Sequence, residues 1–124
     1  MQKLAQALAR IMGLKEQGKT EEAENGLNEI FEQEFGILFS DLLNSNLSDF
    51  EGFLHDKDFP AEKLDLFSQF LYQTFNTGKP AAHDLTIAHK LQLVYQLLEV
   101  KHHIINMINL DRQKTIQQHI NLNS

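Results

Sequence analysis

Apolar residues in this chain recur at spacings of three and four, and the alternation typical of a half-buried strand never persists. Leu4, Leu8 and Ile11 set the pattern near the N-terminus, and Leu91 and Tyr95 continue it in the second half. Residues spaced in this way line one face of an α-helix. The sequence therefore predicts an all-α fold.

Glycines and capping residues divide the first part of this pattern into two helices. Met12 extends the buried stripe of the first helix, and Gly18 follows where a left-handed C-terminal cap is expected. Thr20 is predicted to cap the second helix, which Gly36 ends. We expect two antiparallel helices joined by a tight turn.

The middle of the chain carries three further boundary signals. Ser48 and Glu51 form a capping-box pair at the start of a short helix. Pro60 suits the first turn of the next helix, and Gly78 and Pro80 are the signals that end it. These boundaries predict short turns between antiparallel neighbours.

The last third of the chain allows two interpretations. Asn109 is a plausible cap for a separate last helix, which we favour, whereas one continuous helix from Asp84 to Ile120 is the alternative. The whole chain of 124 residues is short enough for one domain, residues 1–124. We predict an antiparallel helical bundle with tetratricopeptide-like hairpins, built from six or seven helices.

Composition excludes several classes of function. The chain has no cysteine, which rules out disulfides, thiolate metal sites and cysteine nucleophiles. Its 17 acidic and 11 basic residues give a formal charge of −6, and the basic residues are scattered singly. Because binding to a phosphate backbone requires a field of Lys and Arg, no nucleic-acid partner is predicted.

Hydropathy favours a protein that stays in the cytoplasm and has no membrane partner. No stretch reaches the roughly 20 apolar residues that a membrane span requires. The N-terminal segment, residues 1–14, is interrupted by Lys3, Gln6 and Arg10, and therefore lacks the unbroken apolar region of a signal peptide. It is predicted to be the first amphipathic helix.

Catalytic patterns are missing, and we predict neither an enzyme nor a cofactor. The sequence has no glycine-rich phosphate loop, nucleophile elbow or H-E-x-x-H motif. Most carboxylates fall on predicted solvent faces. Asp65 and Asp84 are flanked by apolar residues, although Asp84 is explained as a helix cap.

Histidines support one alternative, a helical bundle that binds a metal or a small ligand. Glu99 and His102 form an E-x-x-H pair, the spacing found in carboxylate-bridged metal bundles. Glu51 and His55, four residues apart, also share a helix face. The simpler interpretation is that both pairs are hydrogen-bonded neighbours at the surface.

Nine phenylalanines are concentrated between Phe31 and Phe75. A buried core explains most of them. So many aromatic side chains among short helices also allow one or two to remain exposed as a contact site for a partner.

The segment from Leu8 to Ile30 resembles the helix–turn–helix of a tetratricopeptide repeat. Its turn, Gly18–Ala23, has the sequence Gly-Lys-Thr-Glu-Glu-Ala, with Thr20 where the repeat has an aromatic residue. With Leu91 and Tyr95 and the later segment 111–116, it also resembles a small family of bacterial proteins of unknown function. That resemblance implies a tetratricopeptide-like fold and no known chemistry.

We therefore favour a scaffold that binds a protein or peptide in a groove between helices. Leu91, Tyr95 and Leu98 begin a near-heptad pattern of about two heptads, which favours an antiparallel neighbour within the chain. A homodimer through this helix, with a second copy of the chain as the partner, is the alternative. The polar groups predicted to contact a partner are Lys15, Lys19, Arg112 and Lys114.

Overall fold

The computed structural model describes the backbone of residues 2–74, 81–103 and 107–123. Within these ranges the chain forms seven α-helices and no strand, which confirms the predicted all-α architecture. The helices are α1 (Gln2–Glu16), α2 (Thr20–Glu34), α3 (Phe39–Asn44), α4 (Leu47–Lys57), α5 (Ala61–Thr74), α6 (Ala81–Val100) and α7 (Met107–Asn123).

Helices α5 and α6 hold the bundle together. Helix α5 packs against α1, α2 and α6, whereas α6 also contacts α3, α4 and α7. The buried residues of α5 cover several of its faces and include Leu66, Phe67, Phe70 and Leu71. This helix is buried on more than one side because it lies between neighbours instead of at the surface.

The turn between α1 and α2 has the predicted left-handed glycine. Gly18 has a φ of 77° and donates its N–H to the carbonyl of Lys15, while Lys19 donates to the carbonyl of Leu14. This pair of bonds is a Schellman motif. The prediction that Thr20 caps α2 is wrong. Lys19 holds the cap position, since its carbonyl accepts the first helical N–H, from Ala23. Its side chain forms no capping hydrogen bond.

The cap of α4 also differs from the prediction. Asn46 precedes the helix, and its side-chain oxygen accepts the N–H of Asp49 at 2.7 Å. Ser48 therefore lies inside the first turn, and the expected Ser48–Glu51 capping box is wrong. The helix begins earlier because an asparagine is available two residues upstream, and Asn is among the strongest capping residues.

Two further boundaries are refined by the structure. Pro60 lies one residue before α5, where its carbonyl accepts the N–H of Leu64 at 2.8 Å. Asn109 lies inside α7 and is 4% exposed, so its predicted role as a cap is wrong. Separate helices α6 and α7 exclude the single continuous helix. The predictions that concern Phe75, Gly78, Pro80 and the side chain of Asp84 fall outside the described residues.

The described phenylalanines form one aromatic core between α2, α4 and α5. The closest described ring pair is Phe35 and Phe67, whose centroids lie 5.0 Å apart in an edge-to-face arrangement. Phe39 and Phe53 are half-buried. Among the described residues, the exposed large apolar side chains are all aliphatic, and they include Met12, which was predicted to be buried. Exposed aromatic residues therefore do not mark a contact site in the described part of the chain.

Candidate functional site

Two of the four predicted contact residues have partners inside the protein. The Lys15 ammonium donates to the carbonyl of Gln73, in the last turn of α5, at 2.7 Å. Burial lowers the pKa of Lys15. The Arg112 guanidinium stacks on the ring of Tyr72, 4.5 Å from its centroid. These two basic side chains therefore contact successive residues of α5.

Lys19 and Lys114, the other two predicted contact residues, are exposed. Lys19 lies in the turn before α2, and Lys114 lies on α7. The four residues thus do not form one basic surface. Lys114 alone among them lines the cleft between α6 and α7.

The residues of the metal hypothesis lie on α4 and at the C-terminal end of α6, two helices whose ends meet near Asp58. Glu51 and His55 are exposed on α4, whereas Glu99 is half-buried on α6 and accepts a bond from Gln113 at 3.1 Å. His102 follows the end of α6. No three histidine or carboxylate side chains in the described part of the chain are arranged to hold a metal ion.

His55 and His102 do approach the same carboxylate, that of Asp58. Its pKa is lowered by a hydrogen bond and ion pair with Lys101, and more weakly by the two histidines. Asp58 has a left-handed φ of 46° at the end of α4. The ion pair between Lys101 and Asp58 links the end of α6 to the end of α4 at the surface.

A cleft of about 580 Å³ runs between α6 and α7. It is open to solvent along one side. Its floor and walls combine apolar, amide and charged groups, supplied by Gln92, Tyr95, Leu110, Asp111, Gln113, Lys114, Ile116 and Gln117. Leu110 is 43% exposed, which makes it an apolar contact point at the mouth of the cleft.

Amide side chains bridge the two helices along this cleft. Gln92 donates to the side-chain oxygen of Gln117 at 2.9 Å, and Gln117 donates to Asn121 at 3.0 Å. Gln113 donates to Glu99 further along. Since each amide has two donor hydrogens and an acceptor oxygen, this row keeps hydrogen-bonding capacity for a bound chain.

A second polar network lies where α5, α6 and α7 meet. The two carboxylate oxygens of Asp65 accept from the amides of Asn109 and Gln69, each at 3.0 Å. Asp65 is therefore fixed by neutral groups on α5 and α7. This partly buried position explains why apolar residues flank Asp65 in the sequence.

Tyr95 and Arg112 complete the network with two buried polar atoms. The Tyr95 hydroxyl and Nη1 of Arg112 are buried, and neither makes a well-formed hydrogen bond with another described group, although the guanidinium and the hydroxyl lie next to each other. Burial raises the pKa of Tyr95 well above its usual range, although the nearby Arg112 opposes this effect. Tyr95 also forms part of the cleft wall, so the network and the cleft adjoin.

Comparison of the chain with known protein families, curated proteins and solved structures returned no match. None of the helices in the described ranges is both long enough and apolar enough to cross a bilayer.

The sequence analysis identified Arg112 and Lys114 but missed the cleft that they adjoin. A usable signal was present in the glutamines at 92, 113 and 117, since uncharged amides on paired helices often bond to each other. The pairing of α6 with α7 was needed to bring Gln92 and Gln117 together, because they lie 25 residues apart.

Proposed function

We propose that this protein is a helical scaffold that binds a peptide segment of another protein along the cleft between α6 and α7. The supporting observation is the combined lining of that cleft, in which Leu110 offers exposed apolar surface beside a row of amides. Apolar contacts supply affinity for a peptide, and amide side chains can pair with its main chain.

The shape and chemistry of the cleft favour a peptide over a small molecule. Small-molecule sites are usually enclosed and bury most of their ligand. This cleft is partly open to solvent, so an extended ligand can lie in it while keeping one side in water. The mixture of Asp111 and Lys114 on its walls also lacks the dominant charge that a nucleic acid or a highly charged ligand requires.

A peptide library displayed on phage and selected against the purified protein tests this proposal. Enriched peptides should share apolar positions, and Leu110→Asp should weaken their binding by about tenfold or more, because the substitution places a carboxylate against an apolar anchor. Leu122→Asp is the matched control. Leu122 is on the same helix and 84% exposed, but it does not line the cleft.

Two results would contradict the proposal. One is the absence of any enriched peptide family, and the other is equal weakening by both aspartate variants. Circular dichroism of each variant shows whether α7 remains folded. Light scattering coupled to size exclusion tests a second copy of the chain as the occupant. A dimer that Leu110→Asp dissociates, and Leu122→Asp does not, would replace the foreign peptide with self-association.

A further inference from the structure

We propose that the cleft recognises a carboxylate of its peptide, which it binds through the Tyr95 hydroxyl, Arg112 and Lys114. This inference rests on the proposed peptide-binding function and specifies the chemistry of the partner. All three side chains can donate a hydrogen bond, and Arg112 and Lys114 also carry a positive charge.

The first observation is that Arg112 pairs with no carboxylate in the described part of the chain. A guanidinium stays charged at all physiological pH values, and burying one of its nitrogens without an acceptor is costly. The carboxylate of Asp65 lies in the same network, where its two oxygens accept from Asn109 and Gln69 and form no ion pair with Arg112. Arg112 is thus held in place by stacking on Tyr72 while Nη1 keeps its donor capacity.

The second observation is the position of Tyr95. This residue is 1% exposed, and its hydroxyl, which lies beside the Arg112 guanidinium, makes no well-formed hydrogen bond in the described part of the chain, yet the side chain forms part of the cleft wall. Buried hydroxyls are normally hydrogen-bonded. An anionic oxygen entering from the cleft would satisfy the hydroxyl and the nearby guanidinium together.

Lys114 supplies the third donor at the exposed rim of the same cleft. Neither Glu99 nor Asp111 takes the place of a carboxylate from the peptide. Glu99 accepts from Gln113, and Asp111 is exposed on the wall of the cleft. Because Nη1 and the Tyr95 hydroxyl are buried, neighbouring side chains must move for a guest oxygen to reach them.

A matched pair of small probes tests this inference directly. The probes are 4-phenylbutyrate and 4-phenylbutyramide, which have the same shape and differ in the charge of one group. Their binding is followed by the NMR shifts of the Arg112 Nε–H and the Tyr95 ring. The carboxylate should bind about tenfold more tightly than the amide, because charge-assisted hydrogen bonds are stronger than neutral ones.

Three variants assign that preference to the proposed donors. Arg112→Gln should abolish it, and Tyr95→Phe should reduce it several-fold while leaving the fold intact. Lys114→Gln should weaken carboxylate binding, whereas Lys19→Gln, at an exposed lysine away from the cleft, should not change it. Equal binding of the two probes, binding of neither at millimolar concentration, or a preference that survives in Arg112→Gln would overturn the inference.

Synthetic peptides separate failure of the inference from failure of the proposed function. Peptides from the display selection are compared with versions in which each carboxylate is replaced by an amide. If both versions bind equally and Leu110→Asp weakens both, the peptide-binding function stands and carboxylate recognition is wrong. If no peptide is selected, the proposed function itself fails.

Discussion

The ammonium of Lys90 lies 2.8 Å from the carbonyl oxygen of Ser45, to which it donates a hydrogen bond across the bundle. Lys90 is on α6 and only 2% exposed, and Ser45 follows the last residue of α3. The ammonium also lies 5.9 Å from the centre of the Phe50 ring. A lysine from a distant helix thus serves the carboxyl end of a six-residue helix, where carbonyls otherwise lack partners.

Replacing Lys90 separates the effect of its volume from that of its charge. Lys90→Ala should lower the free energy of unfolding by about 2–4 kcal/mol, because it leaves a cavity in the core. Lys90→Met fills most of that space, and it should cost at most about 1.5 kcal/mol for the lost hydrogen bond. Urea denaturation of the two variants checks this order. Equal losses would show that the charge, and not the packing, dominates.

The same lysine should make stability depend on alkaline pH. Burial lowers the pKa of Lys90 from its usual value of 10.5, so just below that pH the unfolded chain holds more protons than the folded chain. The free energy of unfolding should therefore rise with pH towards 10.5 through this group. The difference in unfolding free energy between the wild type and Lys90→Met should increase between pH 8 and pH 10. A difference that stays constant would contradict the lowered pKa.

Tyr95 should act in the opposite direction at higher pH. Burial raises its pKa above the usual 10.0, so above that pH the folded chain keeps a proton that the unfolded chain loses. Stability should fall there in the wild type, and Tyr95→Phe should remove this part of the loss. At pH 7 the variant should lie within about 1 kcal/mol of the wild type, because the hydroxyl makes no well-formed hydrogen bond in the described part of the chain. A larger loss at pH 7 would indicate a partner that the hydroxyl needs for folding.

Two glycines should respond in opposite ways to the same substitution. A methyl group at either Gly52 or Gly18 would meet no atom within 4 Å. Gly52 lies inside α4, so Gly52→Ala should raise the free energy of unfolding by about 0.5–1 kcal/mol. Gly18 has a φ of 77°, and Gly18→Ala should lower the free energy of unfolding by about 1–2 kcal/mol. Chemical denaturation compares the pair, and a gain at both positions would contradict the left-handed turn.

Local information in the sequence was sufficient for the helical class and for several helix ends, whereas it left the number of helices at six or seven. Gly18 and Gly36 both have positive φ values at helix ends, where the sequence placed stop signals. Capping was less predictable, since Asn46 and Ser48 compete for the start of α4 and either would be acceptable locally. The structure uses Asn46, which lies two residues upstream of Ser48 and is among the strongest capping residues.

The candidate site depended on contacts that the sequence could not reveal. Lys15 was predicted to face a partner because lysines are usually exposed, yet its ammonium reaches a carbonyl 58 residues away. Asn109 was predicted to be a cap because its true partner is not close in the sequence. Its amide donates to Asp65, which lies 44 residues away.

The sequence by itself determined the all-α class and the hairpin of α1 and α2, and it favoured a break between α6 and α7. These features follow from apolar periodicity and turn chemistry, which act over a few neighbouring residues. Only the tertiary structure decided which polar residues are buried, because the free energy of burying Lys90 or Tyr95 depends on distant groups that the fold brings close. The cleft between α6 and α7 was also decided by the tertiary structure, since neither helix forms it alone.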